Sequence, residues 1–521
     1  MKLLSVLIGA SAAGALAVST SDVTKFSSFA QGLGLSPANT RTLAAQYAKA
    51  GNPVAILNIA CLTAQGVLGT ENVDTLPLNQ TTVEVNWSGS CVAEPHCIIQ
   101  PEEAQDISTA VKVINFFQVK FSVRSGGHSP NPGWSSIGGR GILLDLSRLN
   151  SVSLSNNGQI ASVGPGLRWG EVTTALDAEK AVVIGGRLPT VGVGGLILGG
   201  GYHHMSNRFG LAADNVNNFE IVLANGAIVN ANAKQNNDLF WALKGGGPNF
   251  GIVSRYDLDT VPVYEIWGQM MIYAPDQAGA VLDAFTEWQL NGASDVKSTV
   301  AIDISLTSVV IGLVYSEPAN NPSAFAPFYD LEPLAIPVPA MNTTFVVIDQ
   351  LLGSAFPVAS GRHDYRGCST RIDANLTRDV YDYWLEKAQT AYQTTGVSQS
   401  FALQHVGENL IQKGFENGGN ALNIRSGPQQ WWTTIVDWEN EADDEAARSV
   451  SIETTKYWQK LAKKRGLDVS FTYMNDASRD QNPLASYGAT NLKKLKAIAK
   501  KYDPTQMFQK LQNNGFLLSK V

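Results

Sequence analysis

Phe121-Ser-Val-Arg-Ser-Gly-Gly-His-Ser-Pro-Asn131 is the stretch from which the fold is read. An apolar, strand-like run (VKFSV) breaks into two adjacent glycines and a histidine. Glycine pairs let a backbone turn sharply and approach a ligand closely. Successive N–H groups in such a turn can cradle a phosphate. Arg124 adds positive charge, and His128 stands at the mouth of the turn. The motif alone fits two readings equally: a pyrophosphate cradle that presents a histidine to a cofactor, or a surface turn with a solvated Arg and His. The rest of the chain has to decide.

The chain has 521 residues, 44% of them hydrophobic and 16% charged, which suits an ordered globular protein with a large core and two or more domains. A net charge of −7 with no basic run argues against a nucleic-acid partner. Residues 1–17 (MKLLSVLIGASAAGALA) read as a secretory signal peptide, with Ala15 and Ala17 as the small residues before cleavage. That run is too short to span a bilayer comfortably, and no later one is long enough, so export without a membrane anchor is expected. Cys61, Cys91, Cys97 and Cys368 permit disulfides in an oxidising compartment. Their pairing is open, with Cys61–Cys97 favoured. Sequons at Asn79, Asn86, Asn342 and Asn375 suggest a glycoprotein.

Working outward, Pro101–Ile114 has acidic residues first and apolar residues at helical spacing, so a helix leads into the VKFSV strand. Residues 18–60 are also helical in pattern. After the turn, GILLDLSRLN reads as a strand and turn, and QIASVGPGLRWGEV as strand, Gly-Pro-Gly turn and helix. Ile184–His204 is the most glycine-dense stretch, a surface on which a bulky flat ligand can lie. It lacks a Rossmann fingerprint and the Gly-Lys-Ser/Thr of a P-loop. Phe219–Val229 reads as two strands around an Asn225-Gly226 turn. From about residue 265 glycine thins out, and a second domain is expected. STVAIDISL, SVVIGLVYS and TTFVVIDQLL read as strands there, and APDQAGAVLDAFTEWQL and DVYDYWLEKAQTAYQ as helices. The fold class is α+β.

These blocks resemble the FAD-linked oxidases of the vanillyl-alcohol-oxidase/PCMH superfamily, most closely the secreted fungal berberine-bridge-enzyme-like branch. The resemblance rests on RSGGHS (124–129), LDLSRLN (144–150), GPGLRWGEV (164–172), PTVGVGGLILGGGY (189–202), RFGLAADNV (208–216), DLFWALKGGGPNFGIV (238–253), SYGATN (486–491) and KYDPTQMF (501–508). It is weakest between 270 and 425. It implies a PCMH-type FAD-binding domain of two α+β subdomains and a substrate domain whose antiparallel sheet roofs the flavin. The implied boundaries are 18–265 for the N-terminal extension and FAD domain, 266–470 for the substrate domain, and 471–521 for a segment returning to the FAD domain. FAD is the implied cofactor, held by Arg124, Ser125, Gly126, Gly127, His128 and Ser129, by Pro189, Thr190, Val191, Gly192, Gly194, Gly195 and Gly200, and by Asn215, Gly251, Val253, Asn475, Tyr487 and Asn491. His128 would bond covalently to the flavin. A second link from a cysteine, common in relatives, falls on Leu188, so a single tether is expected. Val191 stands where oxidases carry a small residue that admits dioxygen. Leu196 replaces a common histidine.

Tyr202 and Tyr473, the latter in a Tyr-x-Asn motif, are the candidate catalytic residues: one as a phenolate base would take the substrate hydroxyl proton. Trp432 or Thr433 falls where relatives place a carboxylate or glutamine, so a carboxylate base is doubtful. His203 and His204 read as structural or entrance-lining, with a base or second flavin link as the other options. No metal site is expected, because the pair lacks further clustered ligands. The leading expectation is a secreted FAD oxidase acting on an alcohol or related C–H bond of a small organic or carbohydrate-like molecule, with dioxygen reduced to hydrogen peroxide. The alternatives are a secondary-metabolite oxidase or cyclase, and a non-redox protein scaffolded on flavin.

Overall fold

A computed structural model describes residues 18–355 and 361–521. The expected signal peptide lies outside the described residues.

Three sheets organise the chain. The first has four strands in the order Val73–Thr75, Cys97–Ile99, Gly141–Asp145, Lys120–Arg124. The last three run parallel, and Gly141–Asp145 is buried at every position, as a parallel strand covered on both faces must be. The helix Ala104–Phe117 covers it with Ile107, Ala110, Val111 and Ile114, one apolar stripe at helical spacing. It ends at Gln118, whose φ of 53° stops the helix so that the next strand can begin. The last residues of the chain return here: Phe121 donates to Leu511 O and accepts from Asn513 N beside the strand that leads to the turn.

The second sheet is antiparallel, in the order Val152–Leu154, Ile160–Val163, Ile252–Asp259, Val216–Val222, Ile228–Asn232. Its expected hairpin turns at Gly226, whose φ of 80° suits glycine. The third sheet is a nine-stranded antiparallel one built between Glu265 and Val469. Its two faces separate by the period of two. Trp267, Met271, Leu403 and Trp432 pack on the helices Ala278–Leu290, Ala374–Thr395 and Asp444–Arg465. Met270, Val314, Val406 and Trp431 pack on the glycine-dense stretch instead. The sheet therefore roofs that stretch.

One element departs from its expected form. TTFVVIDQLL continues a strand only to Thr344, and Phe345–Ala355 is a helix. Phe345, Ile348 and Leu352 are buried at i, i+3 and i+7, so packing on the glycine-dense layer overrides the β-branched composition. Cys61 and Cys97 form the favoured disulfide, tying the third N-terminal helix (Pro53–Leu68) to the first sheet. Cys91 and Cys368 are free and buried. The four sequons divide. Asn79, Asn342 and Asn375 are exposed, but Asn86 is buried, donates to Ser135 Oγ at 2.8 Å and accepts from Arg124, so the expectation of a glycan there is corrected.

Candidate active site

The turn after Arg124 meets the glycine-dense stretch backbone to backbone. A Cβ on Gly126 would lie 2.4 Å from Gly192 Cα, and one on Gly192 would lie 2.5 Å from Gly126 N. Only glycines allow that approach. Ser125 pins the contact: its hydroxyl donates to Pro165 O and accepts from Gly194 N at 3.1 Å. One side chain thus joins the RSGGHS, GPGLRW and PTVGVGG blocks. Gly170 N donates to Pro189 O at 3.0 Å and Trp169 N to Val191 O at 2.9 Å, which fixes the Pro189–Val191 loop. Among the described residues no protein acceptor takes the N–H groups of Gly126, Gly127, His128 or Ser129. A Cβ on Gly195 would meet nothing within 4 Å. A row of uncommitted amides beside bare backbone fits a flat cofactor carrying phosphates.

The cation at this cradle is not the one expected. The Arg124 guanidinium is fully buried, paired with Asp145, and spent on Thr82 O, Val83 O and Asn86 Oδ1. It braces the turn from behind. Arg168 instead puts a guanidinium nitrogen 3.8 Å from the position of a Gly126 Cβ and donates to Thr190 O. Its place in GPGLRWGEV was visible in the sequence; its direction was not.

His128 sits where three elements converge. Its Nδ1 lies 3.1 Å from Tyr365 Oη, and its Nε2 lies 3.5 Å from Thr190 Oγ1. The Trp87 indole stacks on the imidazole at 4.5 Å and on His363 at 4.1 Å. His363 is held in turn by Asp437, 2.6 Å from its Nδ1. Burial, and next the charge of Arg168, push the His128 imidazole down to about 3, so the ring is neutral and nucleophilic at ordinary pH. Burial holds Tyr365 well above the usual phenol range, so it keeps its proton.

The glycine run ends against the Tyr-x-Asn motif. Tyr473 Oη accepts from Gly201 N at 3.0 Å, Tyr202 N at 2.9 Å and Asn475 Nδ2 at 3.0 Å. Asn475 also donates to Leu196 O, and a Cβ on Gly199 would lie 1.9 Å from its Oδ1. Gly200, with φ of 116°, makes the bend beside Tyr473. Tyr202 Oη donates to His405 O at 2.7 Å. Burial pushes the Tyr202 hydroxyl up to about 12. Tyr473 is raised by burial first and by Asp476 next, against the opposing pull of Asn475, Arg187 and the Tyr202 amide.

A polar chain crosses the same place. Arg187 donates to Gln404 Oε1 at 3.1 Å, and Gln404 Nε2 donates to Asp476 Oδ2 at 2.6 Å. The Arg187 guanidinium lies over the Tyr202 ring, 4.9 Å from its centroid. A carboxylate, Asp476, thus stands beside the Tyr-x-Asn motif, and Trp432 and Thr433 hold the strand position where relatives place one. On Gln429–Trp438 it is Trp431 that turns inward, stacking on Tyr473 at 4.7 Å, while Trp432 packs outward on Phe401 and Trp458. His203 and His204 flank Phe345, and burial pushes His204 down to about 3. His203 accepts from Met205 N, and its Nε2 has no hydrogen-bond partner among the described residues.

The other expected cofactor residues shape the walls. Asn215 donates to Phe209 O and Leu211 O, Tyr487 to Gly245 O, and Asn491 to Ala421 O. Gly251 lets its strand pass Val222 O, which a Cβ would approach to 2.6 Å. Val253 is buried in the strand Ile252–Asp259.

Residues 95–232 match the family model of an FAD binding domain. An FAD-dependent monooxygenase of Arthrobotrys oligospora is 37% identical over 471 residues, 90% of each chain. The bifunctional solanapyrone synthase of Alternaria solani is 32% identical over 433 residues, 83% of each chain. The chain belongs to the FAD-dependent oxidoreductases that these fungal enzymes represent. Solved structures share the fold. A xylooligosaccharide oxidase of Myceliophthora thermophila superposes with a TM-score of 0.71 at 24% identity, covering 85% of this chain and 97% of that one. A glucooligosaccharide oxidase of Acremonium strictum, described with a 6-S-cysteinyl, 8α-N1-histidyl FAD, gives 0.69 at 22%, covering 81% and 92%.

As an FAD-dependent oxidoreductase carrying this domain, the chain binds FAD. Arg168, Trp87, Tyr365, Arg187, Gln404 and Asp476 went unnoticed in the sequence. Arg187 lies inside the glycine-dense block and Asp476 beside the Tyr-x-Asn motif, so position alone offered a signal for those two. Trp87, Tyr365 and Gln404 offered none.

Proposed function

We propose that the protein is an exported oxidase whose FAD is tethered once, at His128, and which oxidises an alcohol or related C–H bond of a small organic molecule with dioxygen as electron acceptor. Export is supported by the N-terminal segment, the Cys61–Cys97 disulfide and three exposed sequons. A single tether is supported by the neutral His128 ring and by Leu188 at the place of a second link.

The observation that carries the reading is the set of three N–H groups on Tyr473 Oη. A phenol oxygen offers two lone pairs and a proton, and a phenolate oxygen offers three. Three converging donors therefore fit the ionised form best. Tyr473 rests protonated because burial and Asp476 oppose ionisation, yet its donors stand ready to hold the anion. Once its own proton has gone to solvent, the phenolate exchanges one of these donors for the substrate hydroxyl and takes that proton, and Tyr202 and Trp431 shape the space beside it. Bound FAD supplies the acceptor for the two electrons and hydrogen of the C–H bond, and dioxygen takes them on as hydrogen peroxide.

Oxygen uptake with matching peroxide release, measured on alcohols, carbohydrates and conjugated small molecules, tests this. No anaerobic bleaching of the flavin by any of them would sink it. The second reading is a secondary-metabolite oxidase, favoured by the names of the relatives at 32% to 37% identity. Ring closure or dehydrogenation of a conjugated substrate with oxygen uptake, and no uptake with any alcohol or carbohydrate, would select it.

A further inference from the structure

Four shielded arginines of this protein are matched to carboxylates, while Arg168 and Arg371 spend their guanidinium groups on backbone carbonyls. Arg124 pairs with Asp145, Arg362 with Asp444, Arg366 with Asp480, and Arg448 with Asp364. Arg187 differs. Its side chain is half-buried, yet among the described residues its one hydrogen-bond partner is an uncharged amide oxygen, Gln404 Oε1. A guanidinium has five N–H donors, and its charge away from water is costly when unpaired.

Gln404 explains why Arg187 and Asp476 do not close on each other. The amide is buried, and its 2.6 Å bond to Asp476 fixes which end faces Arg187. Two opposite charges are thus held one amide apart, and each keeps spare capacity. The face of Tyr202 supports the guanidinium from beneath, so its remaining N–H edge is aimed rather than free to swing. The charge of Arg187 also favours the ionised forms of Tyr202, Tyr473 and Asp476, which places it within electrostatic reach of the reacting end of the site.

We infer that Arg187, held off Asp476 by the Gln404 amide, recognises a negatively charged oxygen on the substrate. The substrate class is then an anionic small molecule, bearing a carboxylate or an ionised phenol or enol, rather than a neutral sugar. Planar anions bind guanidinium through paired N–H···O bonds, and Arg187 has the donors left to make them. Asp476 Oδ1, without a hydrogen-bond partner among the described residues, can accept from a neighbouring hydroxyl of the same ligand. The inference rests on the oxidase reading only for placing substrate beside Tyr473.

Equilibrium binding to the flavin-loaded protein, read through the visible absorbance of the flavin, tests it without turnover. The probes are benzoate and 4-nitrophenolate against their neutral counterparts benzamide and benzyl alcohol. At least one anion is expected to bind about tenfold or more tighter than the neutral probes. Whichever anion binds better identifies the oxygen as carboxylate or phenolate. Arg187→Gln should abolish the preference while neutral probes bind as before, and Arg187→Lys should keep part of it. If Arg187→Gln fails to fold, Gln404→Glu places a carboxylate on the guanidinium and should remove the preference by itself. Equal affinity for charged and neutral probes overturns the inference, as does a preference that survives both substitutions. Anion binding without oxygen uptake on any substrate overturns the oxidase reading instead and leaves this one standing.

Discussion

The Trp87 indole lies 8° from parallel with the His128 imidazole, at 4.5 Å between ring centroids. Stacked on His363 as well, the indole fixes the plane of the ring that would carry the flavin. Aromatic contacts of this kind are worth about 0.5–1.5 kcal/mol. Trp87→Ala should therefore slow covalent attachment by about 2- to 10-fold, and Trp87→Phe should restore most of it. The check is the fraction of yellow colour retained by acid-precipitated protein over time after FAD is added to apoprotein. His128→Ala should retain none.

Tyr473→Phe removes the oxygen on which three N–H groups converge. A general base is worth about 10²- to 10⁴-fold, so kcat should fall by that order while KM changes little. The base works deprotonated, so kcat should climb with pH toward the raised pKa of Tyr473. Asp476 is one of the causes of that rise. Asp476→Asn should accordingly move the climb to lower pH. Tyr202→Phe should cost less, because the Tyr202 hydroxyl is already committed to His405 O. Steady-state pH profiles of the three variants decide the matter.

Gly126→Ala is expected to abolish flavin retention. The added methyl would lie 2.4 Å from Gly192 Cα, a backbone atom that cannot swing aside. Purified variant that is colourless yet folded, by circular dichroism, is the predicted result. Full flavin content would mean that the two glycine blocks do not form the cradle.

The Cys61–Cys97 disulfide closes a separation of 36 residues. Restraint of a loop of that length stabilises by about 4 kcal/mol in the chain-entropy account. Cys61→Ala with Cys97→Ala should lower the melting temperature by several degrees, measured by calorimetry.

Acid should weaken the fold before carboxylates titrate. Burial pushes His204 down to about 3 and His405 to about 4, from an ordinary 6.5. As pH falls below 6.5 the unfolded chain binds these protons and the folded one does not. Their stabilisation is complete above 6.5 and is lost as pH drops toward 4 and 3. Between pH 6.5 and 5.5 the loss should be about 1 kcal/mol per histidine. Urea midpoints across that interval should fall for the native chain and fall less for His405→Gln.

What the sequence determined by itself was the local chemistry. Glycine at 126, 127, 192, 194 and 195 permits close backbone approach, and a histidine follows the first pair. The order of blocks around them named the family and the cofactor, because those properties lie within short contiguous runs. The alternation of Trp431 and Trp432, by contrast, needed a face to refer to. The composition of TTFVVIDQLL is that of a strand, and only burial at helical spacing made Phe345–Ala355 a helix.

Tertiary structure decided direction and partnership. Arg124 and Arg168 both adjoin the cradle, and folding turned the first back onto Asp145 and left the second at its edge. Tyr365 is 237 residues from His128, and Gln404 is 217 from Arg187, so no spacing rule could pair them. They meet because the nine-stranded sheet lays alternate side chains over the glycine layer. A strand's period of two says which residues share a face; what that face covers is settled only when the distant sheet docks.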